Sequence, residues 1–123
     1  MKALFAAALL SLAAVSGAEA ACTRPTEAPP EVPNGSKADE ESMHTAHDAI
    51  QGYVKLLEAY KACLKDQADA APADTAAEQK LAWVAQGDAA VDAAQYIAAE
   101  YSVALKSFKA RTAPTPPSPA APK

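Results

Sequence analysis

One cluster of side chains has the residue types and the spacing of a metal site. His44, His47 and Asp48 stand three and four positions apart, and Glu40 lies one turn before His44. On a helix such residues are neighbours, and two imidazoles with a carboxylate can chelate zinc, copper or nickel. The same pattern is typical of an ordinary solvated helix face, with His47 at its edge. Metal binding or buffering by these three residues is therefore the second of two functional hypotheses.

A second cluster consists of Asp88 and Asp92 with Gln95, in a stretch that has no base between Lys80 and Lys106. Paired carboxylates can share a proton or bind a cation, although two exposed acids one turn apart more often only repel each other. The sequence has no nucleophile beside a base, no glycine-rich phosphate loop and no CxxC pair. We therefore predict that the protein is not an enzyme and has no cofactor.

The beginning of the chain predicts export. Lys2 precedes a weakly apolar run of about thirteen residues, and small residues stand before a cleavage point after Ala20. A membrane span needs roughly 20 apolar residues, so this run is too short for one. We predict a signal peptide over residues 1–20 and a periplasmic or extracellular protein without a transmembrane segment.

The chain has two cysteines, Cys22 and Cys63. In an oxidising compartment two thiols predict one disulfide. Because Cys22 lies just after the cleavage point, its lipidation is the alternative. Glu19 argues against that alternative, since bacterial lipoproteins usually carry Leu three residues before the cysteine.

The composition predicts helices. Half of the residues are hydrophobic, but 34 of them are Ala and only 6% of the chain is aromatic. The β-branched and aromatic residues that favour strands are scarce. The net charge of −4 without a basic cluster argues against nucleic-acid binding, which needs concentrated Lys and Arg.

The prolines divide the chain into segments. None interrupts residues 34–71 or 73–113, and an interior proline costs a helix about 3 kcal/mol. These two stretches therefore predict two long helices. The Pro-rich segments at the two ends predict an extended leader, residues 21–38, and a disordered Ala/Pro tail, residues 112–123.

Local signals place the ends of the two helices. Asp39 is a good N-cap for a helix over 39–70, and Thr75 begins a capping box for a helix over 75–111. A short connection brings two such helices together antiparallel. We expect an all-α, coiled-coil-like helical hairpin over residues 39–111.

Apolar residues recur at steps of three and four along both helices. The predicted contact stripe of the first helix is Met43, Ala46, Ile50, Tyr53, Leu57, Tyr60 and Leu64. The predicted stripe of the second is Val84, Gly87, Val91, Ala94, Ala98, Tyr101, Leu105 and Phe108. Counting about the turn places Gly87 opposite residues 53–57, where a missing side chain makes room for a bulky one; a chance glycine is the alternative.

The second helix also carries a flank stripe, formed by Trp83, Ala90, Ile97 and Ala104. It widens the apolar surface to roughly 160°, more than one facing helix covers. We expect it to be an interaction face, covered by the leader, by a second copy in a weak homo-oligomer, or by a protein partner.

The leader is long enough to return along the first helix. From Asp39 to Cys63 the helix rises about 36 Å, while the chain from Cys22 to Asp39 reaches about 53 Å when polyproline-like. We therefore expect the leader to turn at Asn34-Gly35 and run antiparallel to the first helix, with a Cys22–Cys63 disulfide at its end.

Several of these features occur together in a known group. Cys22 with the Pro-rich leader, Pro33-Asn34-Gly35, Cys63 and Ile97-Ala98-Ala99-Glu100-Tyr101 resemble uncharacterised small exported bacterial proteins. The other matching residues are Met43, Tyr53, Tyr60 and Leu105-Lys106-Ser107-Phe108-Lys109. The chain departs from the pattern at Ser42 and Ser102, where the group usually has Glu and Asn.

The resemblance implies a disulfide-tied helical hairpin in the periplasm or outside the cell, and it implies no activity. The first functional hypothesis rests on the broad apolar stripe of the second helix and on the lack of catalytic motifs: a non-catalytic interaction or structural module of the cell envelope, with an unknown partner.

Overall fold

The computed structural model describes residues 21–117, which form two packed helices. Helix α1 spans Glu40–Ala70 and helix α2 spans Ala77–Thr112. Within the described residues no strand occurs. The predicted signal peptide, 1–20, and the end of the predicted tail, 118–123, lie outside the described residues.

The two helices run antiparallel. The hydroxyl of Tyr101 donates to the carbonyl oxygen of Met43 at 3.1 Å, and the hydroxyl of Tyr60 donates to Oε1 of Gln86 at 2.8 Å. The start of α1 therefore faces the end of α2. The all-α hairpin predicted over residues 39–111 is confirmed.

Helix α1 begins as the sequence predicts. Oδ1 of Asp39 accepts the backbone N–H of Ser42 at 2.7 Å, and Glu40 and Glu41 occupy the first turn. Hydrogen bonds from the Ser42 hydroxyl and backbone lower the pKa of Asp39. This cap fixes the point at which the leader ends and the hairpin begins.

The capping box predicted at Thr75 is wrong. The N-cap of α2 is Ala76, which makes no side-chain capping hydrogen bond. The backbone N–H of Thr75 instead donates to the carbonyl oxygen of Pro72 at 3.0 Å. Because Thr75 is used in the turn that follows α1, α2 begins two residues later than predicted.

The contact stripe predicted for α1 is confirmed. Six of its seven residues are buried and Tyr53 is half-buried. The buried residues are Met43, Ala46, Ile50, Leu57, Tyr60 and Leu64.

The contact stripe predicted for α2 is displaced around the helix. The buried residues of α2 are Gly87, Ala90, Ala94, Ile97 and Ala104. Three of these five come from the predicted flank stripe. In contrast, Val84 and Ala98 of the predicted contact stripe are exposed. The buried side of α2 therefore faces both α1 and a further segment on the flank.

That further segment is the leader. Cys22 packs against a core cluster formed by Leu57, Tyr60, Leu64, Ala90 and Ala94. At the other end of the leader, Gly35 lies against the backbone of Ala104. The leader therefore runs antiparallel to α1, as predicted, and also borders α2.

The predicted turn at Asn34-Gly35 is present and is held by backbone hydrogen bonds. The carbonyl oxygen of Asn34 accepts the backbone N–H groups of Lys37 and Ala38 at 2.9 and 2.8 Å. No described residue has a positive φ, so the backbone of Gly35 does not need the freedom of glycine. A Cβ atom on Gly35 would overlap the Ala104 carbonyl oxygen and lie 2.7 Å from its carbon. Glycine is required here because two backbones approach closely.

Gly87 does not lie opposite residues 53–57, as predicted. It lies opposite residues one to two turns closer to the end of α1. A Cβ atom at this position would lie 3.3 Å from Cγ of Lys61 and 3.9 Å from Cδ1 of Leu64. The missing side chain makes room for these two residues, not for residues 53–57.

Candidate functional site

The predicted metal cluster lies on the solvent-facing side of α1, in the first half of the helix. Nδ1 of His44 is 3.4 Å from Oδ2 of Asp48, and Nδ1 of His47 is 3.3 Å from Oδ1 of the same carboxylate. Residues 21–117 contain no group of three or more His, Cys, Asp or Glu side chains placed to hold a metal ion. The structure brings both imidazoles next to the Asp48 carboxylate, and metal binding by these three residues stays a prediction.

His47 also contacts Gln51 and Tyr101, whose side chains are not common metal ligands. Its Nε2 lies 3.0 Å from Nε2 of Gln51, and its ring lies 5.7 Å from the ring of Tyr101 at a tilt of 47°. His47 therefore also helps to join α1 to α2.

The acidic pair on α2 is exposed. Oδ1 of Asp88 lies 3.7 Å from Nζ of Lys61, in a solvent-accessible ion pair. Asp92 is likewise exposed, one turn further along α2. Lys61 therefore offsets the charge of Asp88, and an exposed ion pair of this kind contributes only about 0–1 kcal/mol to stability.

The two cysteines form the predicted disulfide. Cys22 and Cys63 are bonded through their sulfur atoms, with Cα atoms 5.7 Å apart and a sequence separation of 41 residues. Both residues are half-buried. The bond ties the first residues of the leader to the side of α1.

The predicted interaction face of α2 is covered within the folded chain. Ala90, Ile97 and Ala104 are 6%, 4% and 8% exposed, and Trp83 packs partly buried against the core cluster. The flank stripe is covered within the chain, where the leader borders it. The sequence analysis left three possibilities for what covers the flank stripe. In the structure, the leader lies beside it.

The other flank of the hairpin holds a groove, which we call the open groove. It has a volume of about 530 Å³ and is lined by residues of both helices. Its apolar and aromatic lining includes His47, Ile50, Val54, Tyr101 and Leu105. No leader residue lines it.

Sequence reasoning missed a second apolar surface on α2, here called the outer face. Leu81, Tyr96 and Val103 are 67%, 66% and 68% exposed. At 100° per residue they lie within about 60° of one another and about 150° from the centre of the buried residues of α2. The sequence could have indicated this face, because α2 carries large apolar residues outside both predicted stripes.

None of the helices in residues 21–117 has the length and apolar content needed to cross a membrane. Comparison with protein-family models, with curated proteins and with solved structures finds no match to this chain.

Proposed function

We propose that the chain is an exported, non-catalytic interaction module of the cell envelope, and that its outer face binds a protein partner. The observation that carries this proposal is the exposure of three large apolar side chains, Leu81, Tyr96 and Val103, on one side of a long helix. Single exposed apolar residues are common, but several on one helix face favour a binding surface.

The charges around the outer face specify the chemistry of the partner. Asp92 and Glu100 lie on or beside it, whereas Asp88 pairs with Lys61 of α1, and α2 itself has no Lys or Arg between Lys80 and Lys106. A complementary partner presents an apolar surface edged by Lys or Arg side chains. We therefore propose that the partner is an amphipathic helix whose apolar face is bordered by Lys or Arg side chains.

The same charges disfavour a second copy of the chain on this face. In a symmetric dimer the acidic residues of the two outer faces would be brought together, and juxtaposed like charges oppose association. Self-association through the flank stripe is disfavoured separately, because the leader would first have to leave.

The proposal can be tested with a photo-crosslinking residue placed in the full chain, exported in its native envelope. Position 96 reports on the outer face, and position 66, an exposed aspartate on α1, is the matched control. We expect a saturable adduct with one partner from position 96 and none from position 66.

Two further variants separate specific from adventitious contact. Val103→Glu removes apolar area and Asp92→Lys reverses charge, and both should reduce the adduct from position 96. Equal labelling from positions 96 and 66, labelling that neither variant affects, or an adduct consisting only of two copies of the chain would contradict the proposal.

A further inference from the structure

The leader is attached to the helices by few polar contacts. Between Cys22 and Pro33, its one described hydrogen bond to a helix joins the backbone N–H of Cys22 to Oε1 of Gln67, at 3.5 Å. Four of these twelve leader residues are prolines, which have no backbone N–H to donate. The Cys22–Cys63 bond therefore provides the main attachment at this end.

The other end of the leader is anchored differently. Gly35 is buried against the backbone of Ala104, and Nη2 of Arg111 donates to the carbonyl oxygen of Ala38. These contacts do not involve the disulfide. Breaking the disulfide therefore frees one end of the leader and leaves the other end held.

The surface next to the disulfide is apolar. Cys22 packs on the core cluster, which includes Leu57 and Ala90. Departure of the Cys22 end of the leader would expose this surface, including Ala90 of the flank stripe. An exposed apolar strip between two helices is the kind of surface to which a protein segment binds.

From these contacts we propose that the Cys22–Cys63 disulfide is a redox latch, opened by thiol–disulfide exchange with a dithiol to free the Cys22 end of the leader and uncover the core cluster beneath it. The inference concerns a different surface from the outer face and does not depend on the function proposed for it.

The exchange proceeds in two balanced steps. A thiolate of the dithiol attacks one sulfur of the Cys22–Cys63 bond, forming a mixed disulfide and releasing the other cysteine as a thiolate. The second thiol of the reagent then displaces the protein sulfur. In total, the protein gains two electrons and two protons as two thiols, and the dithiol is oxidised to its disulfide.

Cys22 and Cys63 are both half-buried, so each is partly exposed to solvent while the two helices are packed together. Reduction should therefore release the leader before the hairpin unfolds.

The test uses the full exported chain, treated with dithiothreitol and digested briefly with a protease that cleaves after glutamate. Glu27 and Glu31 lie in the leader, while Glu58 lies within α1 and serves as an internal control. On reduction we expect cleavage at the two leader sites to accelerate on the order of tenfold or more, because proteolysis follows the population of the open form. Cleavage at Glu58 should remain slow.

Circular dichroism and dye binding complete the test. Reduction at low temperature should preserve the helical signal and increase the fluorescence of an apolar dye. The Cys22→Ser, Cys63→Ser double variant should behave like reduced protein without any reductant.

Two outcomes would overturn the latch. If the helical signal is lost together with leader protection, the disulfide is a folding staple and not a latch. If leader cleavage is unchanged after complete reduction, the leader stays bound without the disulfide. Should the double variant fail to fold, a dithiothreitol titration of the parent, followed by both readouts, still separates these outcomes. Crosslinking through position 96 of the oxidised protein reports independently on the outer face.

Discussion

The two flanks of the hairpin carry similar apolar residues, but within residues 21–117 only one of them is covered by another segment. On the leader side, Ile97 and Ala104 are 4% and 8% exposed. On the other side, Val84 is 54% exposed and Leu105 only half-buried, at the edge of the open groove. The difference shows that a leader without regular secondary structure helps to decide which residues of α2 belong to the core.

Small residues make this arrangement possible. Ala90, Ala94 and Ala104 present little side chain, so α1 and an extended backbone can both approach α2 closely. Gly35 extends the same principle to a contact between backbones. The alanine-rich composition therefore favours both helix formation and docking of the leader.

The largest expected effect comes from removing the covalent attachment on the covered flank. Cys63→Ser opens a loop of about 40 residues, whose closure contributes on the order of 4 kcal/mol in the chain-entropy model. We expect the melting temperature, followed by circular dichroism, to fall by at least about 10 °C. Cys22→Ser should give the same shift. A change below about 2 °C in both variants would show that the bond contributes little.

Truncating one side chain on each flank compares their packing directly. Ile97→Ala removes a buried side chain and should lower the free energy of unfolding by about 2–4 kcal/mol. Leu105→Ala, on the open-groove side, should cost only about 1 kcal/mol because its side chain is already partly solvated. Urea unfolding measures both variants. Equal losses would mean that the two flanks are packed equally well.

Two glycine substitutions test the close approach of the leader. Gly35→Ala places a methyl group against the Ala104 backbone and should destabilise the protein by about 1–3 kcal/mol. Gly52→Ala is the control, since nothing lies within 4 Å of its Cβ position in α1. It should stabilise the protein by about 0.5–1 kcal/mol. If both substitutions stabilise the protein in thermal unfolding, Gly35 does not contact Ala104 as described.

The smallest effect is expected at the boundary between leader and α1. Hydrogen bonds from Ser42 lower the pKa of Asp39 from its ordinary value of 3.8. The stabilisation by this cap is present above the ordinary pKa and is lost as pH falls through the lower, folded-state pKa. Asp39→Asn keeps an acceptor but does not titrate, so its acid-unfolding curve should lack this contribution. Superimposable acid-unfolding curves would contradict a depressed pKa.

Local patterns in the sequence predicted most of the fold. The proline-free stretches, the Asp39 cap and the three–four spacing from Met43 to Leu64 depend on neighbours in the chain, and all agree with the structure. The Cys22–Cys63 pairing followed from the presence of two cysteines and the reach of the leader.

Features that depend on tertiary packing were predicted less well. The sequence left three occupants open for the flank stripe of α2, and only the folded structure shows the leader bordering it at Ala104. The Thr75 capping box failed because that residue is used in the turn. The outer face was missed because Leu81, Tyr96 and Val103 fit neither predicted stripe.

The central claim, that the leader lies on the flank of α2, is tested most directly by nuclear Overhauser effects in the oxidised, isotope-labelled protein. The Gly35 α-protons should show strong contacts to backbone protons of Ala104 and Phe108, because the two segments meet there. Such contacts should be absent between leader protons and Leu105, at the open groove. Random-coil shifts at Gly35 with no contacts to α2, or leader contacts to Leu105 instead of Ala104, would contradict the account.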